Sequence, residues 1–306
     1  MYDVVIVGGG PAGLSAAMML GRARRRVLVC DADDARNAPS HGVHGFLTRD
    51  GILPSELRRI GREEIVRYGV EVRDVEVVDA ARREAGGFRV GLADGDIVGA
   101  RMLLLATGVV DHVPELAGLR ERYGASVFHC PYCDGWEVRD RPLAAYARGS
   151  AAMKLAPALL SWSRDVVLVS DGPAQLSTED RVTLRRHGIA VREERIAALE
   201  GAGQRLERIV FRRGEPLRRD ALFFKTGHRQ RSALAVKLGC RLDRRGAVRT
   251  TKLQGTGIPG LYVTGDAADD LQLVVVAIAE GTKAAYGIDT ALREADLARG
   301  GAERAA

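Results

Sequence analysis

Apolar residues in this chain fall in short unbroken runs rather than in long amphipathic stretches. Residues 4–7, 27–29, 102–105, 143–146, 166–169 and 221–224 are such runs. A strand with one wet face alternates apolar and polar positions, so a continuous run predicts a parallel strand covered on both sides. Helical spacing predicts helices over 15–20, 54–68, 150–162, 179–187 and 271–292. Ser55 is expected to cap the second of these and Gly69 to end it. Further short strands are expected at 70–78, 88–92, 97–98, 189–191, 196–199 and 208–211, and the tail after 292 is expected to fray. The alternation of strand and helix, begun once near residue 4 and again near 143, predicts an α/β protein built from two similar units.

Composition changes this picture little. The chain has 306 residues, 46% hydrophobic and 28% charged, enough for two globular domains. A net charge of +6 comes from arginines scattered through every element, with no basic stripe interleaved with aromatics, so no nucleic-acid partner is expected. No apolar run approaches membrane-spanning length and the N-terminus enters a strand without a basic leader, so a cytoplasmic protein with no membrane association is expected. Of the four cysteines, Cys30 and Cys240 stand alone in apolar surroundings and are read as inert.

The turn after the first run reads Gly8-Gly9-Gly10-Pro11-Ala12-Gly13. Gly8 permits a tight turn, Gly10 lets the backbone approach a pyrophosphate, and Gly13 lets the following helix close on the sheet. The helix N-terminus then offers N–H groups and a positive dipole end to phosphates. Asp31, about twenty residues further on, is placed to accept hydrogen bonds from ribose hydroxyls. In the polar loop that follows, Arg36, Asn37 and His44 are candidates for contacts with the cofactor or, equally, for surface turns. Ala106-Thr107-Gly108 closes another buried strand with small residues past which a ligand can lie. Near the end, an apolar strand runs into Gly265-Asp266, where the carboxylate suits a flavin ribityl hydroxyl, and Gln272 opens the last helix.

The second unit departs from this pattern. Its turn reads Ala147-Arg148-Gly149-Ser150-Ala151-Ala152, with alanine where the tight turn needs glycine. The next strand ends in Ser170-Asp171-Gly172-Pro173, which offers no arginine for a 2′-phosphate and an aspartate that repels one. NADPH is therefore not expected there, while Asp171 leaves NADH open.

Between the two units lies His129-Cys130-Pro131-Tyr132-Cys133-Asp134-Gly135-Trp136. Zinc would need four ligands, and no second pair of cysteines or histidines is spaced to supply them, so no metal is expected. A structural disulfide across so short a loop restricts little chain entropy. Redox exchange is the remaining use for the pair, with Asp134 as an adjacent acid and base or, otherwise, a helix-capping or solvated aspartate.

Taken in order, the Gly8 to Gly13 turn, Ala106-Thr107-Gly108, Cys130 to Gly135, Gly227-His228 and residues 256–266 resemble the thioredoxin reductase family of pyridine nucleotide–disulfide oxidoreductases. The resemblance implies two Rossmann-like three-layer domains: an FAD domain split into 1–112 and 223–306, and an inserted NAD(P)-type domain at 113–222 carrying the dithiol. It also implies bound FAD and a homodimer, with Cys133 facing the flavin and Cys130 exchanging with substrate. The lost nicotinamide motifs resemble the branch of flavin-dependent dithiol oxidases that close disulfides in natural products such as gliotoxin and holomycin. That branch implies a small-molecule dithiol substrate and oxygen as acceptor, giving hydrogen peroxide. Some of its members carry histidine where Asp134 stands. A reductase fed by NADH or a protein donor is the alternative.

Overall fold

The computed structural model describes residues 1–225, 227–268 and 271–305, with the backbone alone from 300 onward. In chain order, β1 (Tyr2–Val7), α1 (Pro11–Arg22) and β2 (Val27–Cys30) form the first strand–helix–strand unit. They are followed by α2 (Pro54–Val66), β3 (Glu71–Arg73), β4 (Val77–Arg82), β5 (Phe88–Leu92), β6 (Ile97–Leu105) and β7 (Val109–Asp111). Next come β8 (Val127–Phe128), α3 (Pro131–Asp134), β9 (Leu143–Tyr146), α4 (Gly149–Leu159), β10 (Val166–Val169), α5 (Thr178–Arg186) and β11 (Ala190–Arg192). Then β12 (Ile196–Glu200), β13 (Arg208–Phe211), β14 (Leu217–Arg218) and β15 (Ala221–Phe224) lead to β16 (His228–Gln230), α6 (Leu234–Lys237), β17 (Leu261–Val263) and α7 (Val274–Ala305).

The chain forms two compact units: Met1–Ala38, Ile52–Val110 and His228–Ala306 make the first, Pro39–Gly51 and Asp111–Gly227 the second. Residues 39–51, placed with the first domain by the sequence reading, thus pack with the second. Part of the reason is local: Gly124 leaves the space that the Pro39 backbone fills, since a Cβ there would lie 2.4 Å from the Pro39 carbonyl oxygen.

In the first unit the sheet order is β3-β2-β1-β6-β5-β4. The long β6 branches it: residues 97–100 pair antiparallel with β5, while 103–105 pair parallel with β17. Period-two geometry explains the continuous apolar runs. Val5, Val7, Leu28, Cys30, Leu103 and Leu105 point into one core, and Val4, Ile6, Val27, Val29 and Leu104 into another that includes α1 and α7. The second unit repeats the device with a parallel sheet, β11-β10-β9-β15-β8, where Leu143 and Ala145 face one core and Ala144 the other. A three-stranded antiparallel sheet, β12-β13-β14, packs through Ile196, Leu199, Ile209 and Phe211 into the second of these cores.

Several local expectations are corrected. Ser55 lies inside α2, because Pro54, whose fixed φ suits the first helical position, makes Leu53 the N-cap. The strand expected over 70–78 is two strands, and that expected at 97–98 is the start of β6. The last helix begins at Val274 and continues to Ala305, its alanines, arginines and glutamates favouring helix over a frayed tail.

Candidate functional site

The first unit presents a cradle at the ends of β1, β2 and β6. Gly8 turns out of β1 at φ +108°, where a Cβ would come within 2.3 Å of the Ala106 carbonyl oxygen. A Cβ on Gly13 would meet the Gly8 carbonyl oxygen at 1.9 Å, so this glycine lets α1 close on the turn. Gly10 is different: a Cβ there would meet nothing within 4 Å. Its missing side chain serves no packing within the protein and leaves room for a group outside it. Gly10 is the N-cap of α1 and no side chain caps the helix, so the first-turn N–H groups and the positive dipole end remain for an anion.

Around this turn, Asp31 closes β2. Burial would push its carboxyl up, but the guanidinium groups of Arg62 and Arg58, 2.6 and 2.7 Å from Oδ2, together with the Gly9 N–H, outweigh that and hold it below the usual carboxylate range. Arg36 Nη1 donates to Asp266 Oδ2 at 2.7 Å, so two residues singled out separately form one ion pair, and half-buried Asn37 lies beside it in the chain. Gly265 donates its N–H to the buried carboxylate of Glu280 at 3.1 Å. Thr107 and Gly108, the latter at φ +66°, follow β6, and Gln272 sits just ahead of α7 with Nε2 3.4 Å from His228 Nε2. All the expected cofactor residues except His44 therefore lie in the first unit. Arg58, Arg62 and Glu280 were missed; the four-residue spacing of the two arginines on one helix was the available signal.

In the second unit, Cys130 and Cys133 form a disulfide with a Cα–Cα distance of 5.3 Å. Cys130 is the N-cap of the short α3, Pro131 takes the first helical position, and the Cys133 N–H donates to Cys130 Sγ at 3.2 Å. This places the two cysteines one turn apart and gives Cys130 Sγ a donor suited to negative charge. Asp134 follows at the end of the turn, half-buried. Burial, and next the neighbouring Glu137 carboxylate, raise its pKa to about 7, into the range of a general acid and base at neutral pH.

Tyr132 and Trp136 on this segment are 80% and 64% exposed, and the Arg139 guanidinium lies 4.0 Å over the Trp136 ring. Gly135 is required by Trp162, whose ring would lie 2.7 Å from a Cβ. His44, from the 39–51 segment, is placed in this unit with Nδ1 3.5 Å from Glu137 Oε1. Cys30 and Cys240 are buried free thiols; burial pushes Cys30 up to about 12, which keeps it protonated and unreactive.

The second nucleotide-type turn is occupied by the chain itself. Ala147 does not adopt positive φ, and Gly149 at φ +52° makes the bend instead. Arg148 crosses to the end of β10, donating through Nε to the Ser170 carbonyl oxygen at 2.6 Å and through Nη2 to that of Asp171. Arg195 donates to the same Asp171 oxygen at 2.8 Å, and the Asp171 carboxylate accepts from the Ile196 N–H at 2.8 Å. The absence of arginine read from residues 170–173 is thus corrected in space: two arginines reach this strand end, and both are engaged with it.

Among the described residues no cluster of side chains could hold a metal ion, and no helix is long and apolar enough to cross a membrane.

Residues 2–281 match the family model of the pyridine nucleotide-disulphide oxidoreductases. The chain is 30% identical over 302 residues to a probable thioredoxin reductase of Arthroderma benhamiae, covering 88% of this chain and 74% of that protein. It is 30% identical over 306 residues to thioredoxin reductase tcpT of Claviceps purpurea, covering 95% and 94%. The crystal structure of HlmI superposes with a TM-score of 0.94 at 36% identity, over 100% of this chain and 98% of that one. With the glycine cradle and the Cys130–Cys133 disulfide, these matches place the chain in the pyridine nucleotide-disulphide oxidoreductase family, as a flavin-dependent thiol/disulfide oxidoreductase of the thioredoxin reductase type.

Proposed function

We propose that this protein is an FAD-dependent dithiol oxidase that closes an intramolecular disulfide in a small-molecule dithiol, with oxygen as acceptor, working as a homodimer in the cytoplasm. The observation that carries the reading is Arg148 lying across the second nucleotide turn, where a nicotinamide donor would have to bind. With that entry blocked and the dithiol intact, electrons enter through the cysteines.

The open space over Gly10 and the uncapped α1 suit the FAD pyrophosphate, Asp31 its adenosine ribose, and Asp266, held by Arg36, its ribityl chain. FAD held there would supply the two-electron acceptor for the reduced cysteines and the route by which that pair reaches oxygen, giving hydrogen peroxide.

The protein's own residues perform the exchange. Asp134 takes the proton of the first substrate thiol, and the resulting thiolate attacks Cys130 Sγ. The Cys130–Cys133 bond breaks, Cys133 leaves as thiolate, and a mixed disulfide joins substrate to Cys130. Asp134 passes its proton to solvent and takes that of the second substrate thiol, whose thiolate attacks the substrate sulfur of the mixed disulfide. The cyclic disulfide departs, and the Cys133 N–H, 3.2 Å from Cys130 Sγ in the oxidised protein, is positioned to stabilise the released Cys130 thiolate. Overall one sulfur–sulfur bond forms in the substrate and one breaks in the protein.

An anaerobic titration tests this. A small dithiol such as dithiothreitol should bleach the flavin absorbance, NADPH and NADH should not, and Cys133→Ser should retain FAD but resist bleaching by dithiol. Bleaching by either nicotinamide, or normal turnover of Cys133→Ser, overturns the reading.

A further inference from the structure

The 39–51 segment delivers an ionisable side chain to the neighbourhood of the dithiol that the exchange above does not use. His44 Nδ1 is buried and without a hydrogen bond, 3.5 Å from Glu137 Oε1 and 3.8 Å from Asp50 Oδ1. Among the described residues these two carboxylates are the charged groups paired with it, one from the turn after α3 and one from its own segment. The segment is shaped around the ring: a Cβ on Gly42 would lie 2.8 Å from His44 Nε2, and the next residue, Gly45, donates its N–H to Asp50 Oδ1 at 2.7 Å. Glu137 lies three residues beyond Asp134, in the turn after α3, near enough for its carboxylate to act on that of Asp134.

We propose that His44 is a positioning residue for the dithiol chemistry: through Glu137 it sets the field in which the Asp134 carboxylate accepts and returns the thiol proton. This rests on Asp134 serving the exchange as described above. An ionised Glu137 beside Asp134 opposes a second negative charge there, and the repulsion grows when a thiolate forms on Cys133 one residue away. An imidazolium against Glu137, 3.5 Å from Nδ1, cancels that charge. A proton held on His44 therefore makes Asp134 a weaker base, and its loss makes Asp134 a stronger one.

Two substitutions must then act in opposite directions. The carboxyl of Asp134 is followed by carbon-13 NMR in the FAD-loaded protein, its resonance assigned by its disappearance in Asp134→Asn. Glu137→Gln should lower the titration midpoint by roughly half a unit to two units, the scale on which one nearby charge moves a carboxyl. His44→Gln should raise it by a comparable amount, and the double variant should follow Glu137→Gln, because His44 acts through that residue. If His44→Gln does not fold, His44→Lys, which keeps a cation, should hold the midpoint near or below that of the wild type.

Midpoints that stay in place, or that move in the same direction in the two single variants, overturn the proposal; a merely structural His44 would lower the rate without this signature. The acid-side limb of anaerobic flavin bleaching by dithiothreitol should shift in parallel with the NMR midpoints. If dithiothreitol fails to bleach the wild type at any pH, the oxidase reading fails, while the carboxyl titration still decides the role of His44.

Discussion

At Asp134 the same burial that suits catalysis costs stability. Its folded pKa, raised to about 7 first by burial and then by Glu137, lies above the value in an unfolded chain, near 4. Between those two pH values the native state binds more protons than the unfolded state, so stability falls as pH rises through this window and is constant above it. Because the side chain is only half-buried, solvent screening reduces the penalty at pH 8 to something on the order of 2 kcal/mol. Asp134→Asn removes it. The variant should melt several degrees above the wild type at pH 8, with the gap narrowing steadily towards pH 4, while dithiol-driven bleaching of its flavin slows by at least about a hundredfold, the lower end expected for losing a general base. A constant difference in melting temperature across pH would refute the assignment of the shift to this carboxyl.

At the scale of the strand–turn–helix element, the glycines divide into those that hold the fold and one that faces outward. A Cβ on Gly13 collides with the Gly8 carbonyl oxygen at 1.9 Å, and one on Gly281 in α7 with the Ala12 carbonyl oxygen at 2.1 Å. Gly10, with no atom within 4 Å of its Cβ position, has no such constraint. Gly10→Ala should therefore leave the melting temperature of the apoprotein within about 2 °C of wild type, as a change of about 0.5 kcal/mol would, yet purify with far less FAD. Gly281→Ala should destabilise apoprotein and holoprotein alike, by about 1–3 kcal/mol, because helix backbone must shift to relieve the clash. Comparing melting curves and flavin content of the two variants checks both.

The roles of Gly8 and Gly13 were legible in the sequence because the positive φ of Gly8 and the approach of Gly13 to the Gly8 carbonyl are set within one turn, although the Ala106 carbonyl that also excludes a Cβ at Gly8 comes from the far end of β6. The partners of Asp31, Asp266 and His44 were not: Arg58, Arg36 and Glu137 reach them from other elements or across a loop, and single-chain periodicity carries no information about such meetings. The Ser55 cap failed for a local reason, since Pro54 fixes the first helical position one residue earlier.

At the scale of the whole molecule, the chain builds the same strand–turn–helix–strand unit twice and ends it differently. Gly9 and Arg148 occupy the same position in the two turns, two residues beyond β1 and β9. A Cβ on Gly9 would point 2.5 Å from Asp31 Oδ2, towards the end of the neighbouring strand. Arg148 carries a full side chain in that position and ties it to Ser170 and Asp171 at the end of β10. What the first unit leaves open for a dinucleotide, the second fills with its own guanidinium.

Arg148→Gly should reopen the space without restoring a phosphate clamp, because Asp171 remains. NADH, whose ribose hydroxyls can donate to a carboxylate, should then bind more tightly than to the wild type, whereas NADPH, whose 2′-phosphate Asp171 repels, should gain little. Equilibrium dialysis against each nucleotide measures this, with wild-type dissociation constants for both expected above about 1 mM, a binding free energy weaker than about 4 kcal/mol. Equal gains for the two nucleotides would show that Asp171 does not discriminate. Tight NADH binding by the wild type would show that Arg148 moves aside, and would favour a nicotinamide-fed reductase over the oxidase.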